Sequence, residues 1–214
     1  MAFADWDFFT GGTVTNALQS TGALVGSSSL EIVMASGSRV QGQLDAGESR
    51  GFTKGKIRSL FKNTAVTGTA SSVNVGLWCL SSVENMLGTG SGDAYAVGIY
   101  PEDSVTNVTL RKITQNLGEF LSTGTLLGSA SEDFATATVA LELEWNVAVA
   151  ETGGVVLKVR TGSQTDYSDL SEVISIVDSS SPYTTGFAEG IFCDCDTGQT
   201  ATFLIDNTEI FTGS

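Results

Sequence analysis

Apolar and polar residues alternate with a period of two along most of this chain. Val139, Leu141, Leu143, Trp145, Val147 and Val149 interleave with Thr138, Ala140, Glu142, Glu144, Asn146 and Ala148. A helix would scatter the first set around its axis, whereas a strand puts all of them on one face. Ala, Leu and Glu favour helix by intrinsic propensity, and the strict alternation outweighs them. The same period recurs at Leu30, Ile32 and Met34, again through Ile57–Lys62, and at Val73, Val75, Leu77 and Cys79, opposite Asn74, Gly76 and Trp78. Further strands are predicted over Tyr95–Tyr100, Val105–Ile113, Gly118–Leu127, Val155–Arg160, Val173–Val177, Phe187–Cys195 and Ala201–Phe211. Turn clusters separate them at Gly88–Asp93, Gly153–Gly154, Asp178–Pro182 and Asp196–Gly198. Short strands between such turns predict an all-β protein, a two-sheet antiparallel sandwich, rather than a βαβ fold. The one helical turn expected lies near Val83–Leu87.

A chain of 214 residues suits a single large sandwich. Residues 1–28 read as an N-terminal arm, or a first strand plus a loop, and residues 29–214 as one β-sandwich domain. The arm begins with the aromatics Phe3, Trp6, Phe8 and Phe9. Aromatic side chains dominate interface energetics, so these four are the candidate interface residues. An arm of this kind could dock on a neighbouring subunit, and packing on its own domain is the expected outcome.

Charge narrows the partners. The formal net charge is −14, from 24 acidic and 10 basic residues. Such a field repels phosphate backbones, which disfavours nucleic acid, and it keeps the chain soluble. No apolar run approaches the ~18 residues of a membrane helix, so no membrane partner is expected. Met1–Asp7 has neither the basic nor the apolar region of a secretory signal, so folding in a cytoplasm is expected. An odd cysteine count, Cys79, Cys193 and Cys195, points to reduced thiols rather than a disulfide framework.

Candidate chemistry is sparse. The chain has no histidine, which removes the usual general base near neutral pH and the commonest metal ligand. Glu142 and Glu144 share one face of the longest alternating strand and form a carboxylate pair of the kind glycosidases use. Alternation alone accounts for both as solvent-facing. Asp194, Asp196 and Asp206 supply hard oxygens around a glycine turn and are the candidate calcium ligands. Position twelve of that loop holds Ile205 where an EF-hand needs Glu, so the EF-hand reading is rejected, leaving an irregular calcium site or a capped hairpin. Gly88–Gly92 precedes a strand and lacks the Lys-Ser/Thr ending of a phosphate loop.

Several strings resemble the concanavalin A-like, or laminin-G-like, jelly-roll superfamily. They are Gly26-Ser-Ser-Ser-Leu-Glu-Ile32, Ala94–Tyr100 followed by Val108–Ile113, Leu141–Trp145 followed by Val155–Val159, and Gly186–Phe192 followed by Phe203–Ile210. The resemblance runs from residue 26 to the end and implies the fold. The Glu-x-Asp-x-(x)-Glu strand of the superfamily's glycosidases is absent, so the resemblance implies no activity. Tailed-phage virions use small acidic sandwiches of this type. The expectation is therefore a non-enzymatic virion structural protein, a capsid decoration protein on the outer surface of a tailed-phage particle. It would be folded in the host cytoplasm, homo-oligomeric, and partnered by the major capsid protein or other virion proteins. The alternative is a carbohydrate-binding, lectin-like module with a glycan as partner, and after it a glycoside hydrolase. No cofactor is expected beyond the calcium that the aspartates would hold.

Overall fold

The computed structural model describes residues 6–19, 23–44, 52–67, 73–83, 92–100, 106–114, 124–132, 138–148, 153–184, 186 and 188–213. Fourteen strands follow one another along them: β1 (Trp6–Gly11), β2 (Val14–Gln19), β3 (Ser29–Met34), β4 (Arg39–Leu44), β5 (Lys54–Thr67), β6 (Val73–Ser81), β7 (Ala94–Ile99), β8 (Thr106–Ile113), β9 (Thr125–Glu132), β10 (Val139–Ala148), β11 (Gly154–Gly162), β12 (Ser171–Asp178), β13 (Ala188–Cys195) and β14 (Thr200–Thr212). They form two seven-stranded sheets, every ladder antiparallel. Sheet A runs β1-β4-β13-β6-β7-β8-β9, and sheet B runs β12-β11-β10-β5-β14-β3-β2. The two-layer antiparallel sandwich expected from the alternation is the architecture found. There is no helix among the described residues, and most of the turn expected at Val83–Leu87 lies outside them.

The inward faces make one core. Sheet B contributes Ile57, Phe61, Leu141, Leu143, Trp145, Leu157, Val159, Phe203 and Ile205, and sheet A contributes Val75, Leu77, Cys79, Val97, Leu110 and Ile191. Each fully buried side chain of this size contributes roughly 1.5–3 kcal/mol. At the side where β9 and β12 meet, a polar clasp ties the layers together. Lys112 of β8 donates to Asp178 Oδ2 at 2.7 Å and to the carbonyls of Ser180 and Ser181 at 2.6 and 2.7 Å. Tyr95 of β7 donates to the same Asp178 oxygen at 2.7 Å. Burial works to raise the Asp178 pKa, yet the bonds from Lys112, Tyr95 and Ser180 outweigh it and hold the carboxyl below its ordinary value.

The N-terminal segment departs from the arm expected over 1–28. It forms two edge strands: β1 pairs with β4 in sheet A and β2 pairs with β3 in sheet B. Trp6 is 6% exposed and belongs to the core, and Phe8 packs against it, over Gly42. The sequence hid β4, because the polar Gln41 and Gln43 alternate with Val40 and Gly42 and leave little apolar signal. The strand expected over Gly118–Leu127 is found further on, at Thr125–Glu132. A run of small residues, Gly128–Ser131, gave it a weak pattern, and 118–123 lie outside the described residues.

Candidate functional site

The outer face of sheet A is the least expected feature of the molecule. In a two-layer sandwich that face should meet water, yet every residue of β6, β7 and β13 is buried. Two aromatics explain part of this. Trp78 is the register partner of Gly190, and Phe192 that of Gly76. Each ring lies over the glycine on the neighbouring strand: an added Cβ at Gly190 would stand 3.0 Å from the Trp78 ring, and one at Gly76 2.9 Å from Phe192 Cε1. The two pairs are reciprocal. Trp78 Nε1 also donates to the Ile191 carbonyl at 3.1 Å, which fixes its ring along the sheet. Gln41 and Gln43 flank these pairs on β4, fully buried, with Gln41 Nε2 donating to Gln43 Oε1 at 3.2 Å.

One register step further along, Asn74 of β6 faces Asp194 of β13. Asn74 is 0% exposed and Asp194 2%. Asn74 Oδ1, Asn74 Nδ2 and Asp194 Oδ1 are all buried without a hydrogen-bond partner. A buried polar group left unpaired costs about 1–3 kcal/mol, so native folds pair nearly all of them; here both amide atoms of Asn74 lack a partner and Asp194 Oδ1 has only a long ion pair. Arg39, on the other side of Asp194 and with a side chain 40% exposed, brings Nε to 3.5 Å from Oδ1. That is an ion pair at the edge of contact and too long for a good hydrogen bond. Burial therefore dominates: it pushes the Asp194 pKa up to about 7, with Asp196 adding to the shift and Arg39 opposing it.

This raised pKa has a sign. Between the ordinary carboxylate range and about 7 the folded chain holds a proton on Asp194 that the unfolded chain has lost. Its contribution to stability is complete at low pH and fades as pH rises through that window. We expect Asp194→Asn to stabilise the protein at pH 8 relative to wild type, by an amount on the order of 3 kcal/mol, and to leave it nearly unchanged at pH 4. Urea unfolding at the two pH values measures it. Equal differences at both would show that Asp194 ionises freely.

The candidate calcium ligands do not come together. Asp206 lies on β14 in the other sheet, where its Oδ2 accepts from Ser29 Oγ at 2.7 Å and the Val25 amide at 2.8 Å. Its Oδ1 accepts from the Asn207 amide. Asp196 is exposed in the β13–β14 turn, where its carbonyl accepts from Gln199 and Gly198 takes a φ of 93°. Asp194 is left with Asn74 and an arginine. Three side-chain oxygens beside a guanidinium do not fit calcium, which takes roughly six to eight oxygens. No group of three metal-ligating side chains occurs among the described residues. The spacing near Asp194–Gly198 was a hairpin turn, as its glycine allows.

The other candidates are also placed. Trp6 is committed to the core, Phe8 and Phe9 are half-buried on β1, and Phe3 lies outside the described residues. Glu142 and Glu144 lie on the outer face of sheet B, but only Glu144 is open to water: their side chains are 3% and 37% exposed. Arg160 donates to both from the same Nη1, and Lys56 sits 3.1 Å from Glu142. Bound in this way, both carboxylates are committed to cations and neither is a free nucleophile. A cleft of about 230 Å³ opens beside them, lined by Lys56, Glu144, Trp145 and Phe211, and its charged groups are already paired. Cys79, Cys193 and Cys195 are free and buried in the core. Burial raises all three thiol pKa values, that of Cys195 to about 11.

No protein-family model matches the chain, and no curated protein matches it by sequence. Solved structures do. The exoplasmic/lumenal domain of VIP36, in its Ca2+/Man3GlcNAc-bound form, aligns with a TM-score of 0.57 at 14% identity, over 100% of this chain and 86% of that one. The carbohydrate recognition domain of Emp46p, in its potassium-bound form, aligns at 0.58 and 12% identity, over 99% and 90%. A carbohydrate esterase from the Shiga toxin-encoding bacteriophage phi24B aligns at 0.58 and 15% identity, over 100% and 93%. With two seven-stranded antiparallel sheets facing one core, the chain has the concanavalin A-like jelly-roll fold.

Proposed function

We propose that this chain is a non-catalytic carbohydrate-binding module whose ligand face is the outer face of sheet A. The observation that carries the reading is the Asn74–Asp194 pair, an unpaired amide beside a carboxyl oxygen that only a long ion pair reaches. A sugar hydroxyl both donates and accepts, so two neighbouring hydroxyls match an acceptor on Asp194 and a donor–acceptor amide on Asn74. The Asn74 and Asp194 atoms are buried, so a ligand would reach them by displacing the partly exposed Arg39 guanidinium beside them. Gln41 and Gln43 add amides along the same face. The likeness to the VIP36 and Emp46p domains supports a glycan as ligand. The lack of histidine, the buried thiols and the ion-paired glutamates support binding without turnover, despite the likeness to a carbohydrate esterase. A glycan array probed with the purified chain tests this. Retention of a defined glycan with no release of acetate or reducing sugar is expected, and turnover or an empty array would overturn it.

A second reading concerns where the module works. The phage protein whose fold spans the whole chain favours a virion, with this domain as a decoration protein on the outside of a tailed-phage particle, held by the major capsid protein. The charge of −14 suits a surface kept clear of packaged genome. Trp6 and Phe8 are core residues, so trimming residues 1–10 would damage β1 and cannot isolate a capsid anchor. The test is occupancy of the intact protein on purified particles by electron microscopy. Its confinement to host cytosol would end the virion reading and leave the glycan reading standing.

A further inference from the structure

The sandwich has four outer strands, and the fold treats them unequally. β9 and β12 pack against one another and close one side. β12 carries Glu172 and Asp178 and meets β11 across a bulge at Val159/Arg160. β9 carries Glu132 and meets β8 across a bulge at Leu110/Arg111. Acids and bulges keep an edge from accepting another strand. On the opposite side β1 carries Asp7. β2 has no such protection. Its six residues, Val14-Thr-Asn-Ala-Leu-Gln19, contain no charge, proline or glycine. They pair with β3 in unbroken register from Val14↔Met34 to Gln19↔Ser29. Thr15, Asn16 and Ala17 are exposed, and among the described residues no strand pairs with the far side of β2. Next to Thr15 on β3 stands Val33, 40% exposed, and next to Ala17 stands the partly buried Glu31.

We propose that β2 is a self-association edge, on which a second copy of this chain adds its own β2 antiparallel and joins two B sheets into one continuous sheet. Charge selects this occupant. A chain of net charge −14 repels its own copies wherever carboxylates meet, and β2 is an edge strand on which none do. A two-fold axis sets the strand against its own copy, residue i facing j and j facing i, so a strand without charge meets no like charge. A basic partner, drawn by the overall field, would find no carboxylate on β2 to pair with. The contact is one six-residue strand per copy, so the dimer is expected to be weak and concentration-dependent.

Sedimentation velocity of the full chain at micromolar and sub-millimolar concentration tests the proposal. Wild type should shift from monomer to dimer across that range. Ala17→Lys and Thr15→Lys, both at exposed positions, should stay monomeric at both concentrations with unchanged melting temperatures. Thr10→Lys, exposed on β1, should dimerise like wild type and so guards against a general charge effect. A wild type that stays monomeric throughout, or a dimer that survives Ala17→Lys and Thr15→Lys, would overturn it.

Discussion

Lys112→Met should lose about 3–5 kcal/mol of stability, the largest effect expected of any single change outside the hydrophobic core. The lysine is nearly enclosed, and its ammonium hydrogens are met by Asp178, Ser180 and Ser181. Methionine fills the same volume, so packing survives. What remains is a buried carboxylate held only by Tyr95 and the Ser180 amide, and two carbonyls without donors. The cost arises from leaving that charge unpaired, not from the strength of the ion pair itself. Two consequences separate this from a packing defect. Protonation relieves the stranded carboxylate, so the variant should lose less stability near pH 4 than near pH 7. Lys112→Met combined with Asp178→Asn should recover part of the loss at pH 7. Urea unfolding followed by tryptophan fluorescence measures both. A loss under about 1 kcal/mol would mean that solvent reaches the clasp and screens it.

The second large effect concerns the reciprocal aromatic–glycine pairs. Gly76→Ala and Gly190→Ala should each cost at least about 3 kcal/mol, although alanine is the smallest possible addition. An added Cβ at Gly76 meets the Val97 carbonyl as well as the Phe192 ring, and at Gly190 it meets the Gly42 carbonyl as well as the Trp78 ring. Rings could tilt away, but backbone oxygens of neighbouring strands cannot move without breaking their ladders. A control is available in Gly198, where an added methyl meets nothing and only the φ of 93° opposes it. Gly198→Ala should therefore cost less than either. Thermal melting of the three variants ranks them, and equal losses would refute the close-approach account.

Alternation made the sandwich legible because sheet B obeys it almost everywhere. Its inner set, from Ile57 through Leu141, Leu143, Trp145 and Leu157, is apolar, and its outer set is a lattice of Lys56, Arg58, Glu142, Glu144, Arg160 and Glu209. Sheet A was harder to read. Asn74, Gly76 and Trp78 sit on the face that alternation assigns to solvent, and all three are buried. Period two reports which side chains share a face, but it cannot report whether that face is later covered. The one signal present was composition: a tryptophan and two glycines on a supposedly wet face, with a lone amide beside them.

The site was less visible than the fold. Asp194 was singled out, but with Asp196 and Asp206, because closeness along the chain suggested a metal loop. Its actual neighbour, Asn74, is 120 positions away and reaches it only through the β6–β13 ladder. The Glu142–Glu144 pair was misread in the other direction. Two glutamates on one strand face look solvated until Arg160 and Lys56, from the strands on either side, close over one of them. In each case the deciding partner comes from another strand of the same sheet, which no pattern within one strand encodes.

The central claim is that the unpaired Asn74–Asp194 corner of sheet A holds a glycan, and calorimetric titration of wild type against Asn74→Ala tests it most directly. With the best glycan from the array, Asn74→Ala should weaken binding by about tenfold or more, or ~1.4 kcal/mol. Its melting temperature should stay level or rise, because the substitution deletes two buried polar atoms that the folded chain leaves unpaired. Undiminished affinity in Asn74→Ala, or the same loss accompanied by a collapse in melting temperature, would contradict the account.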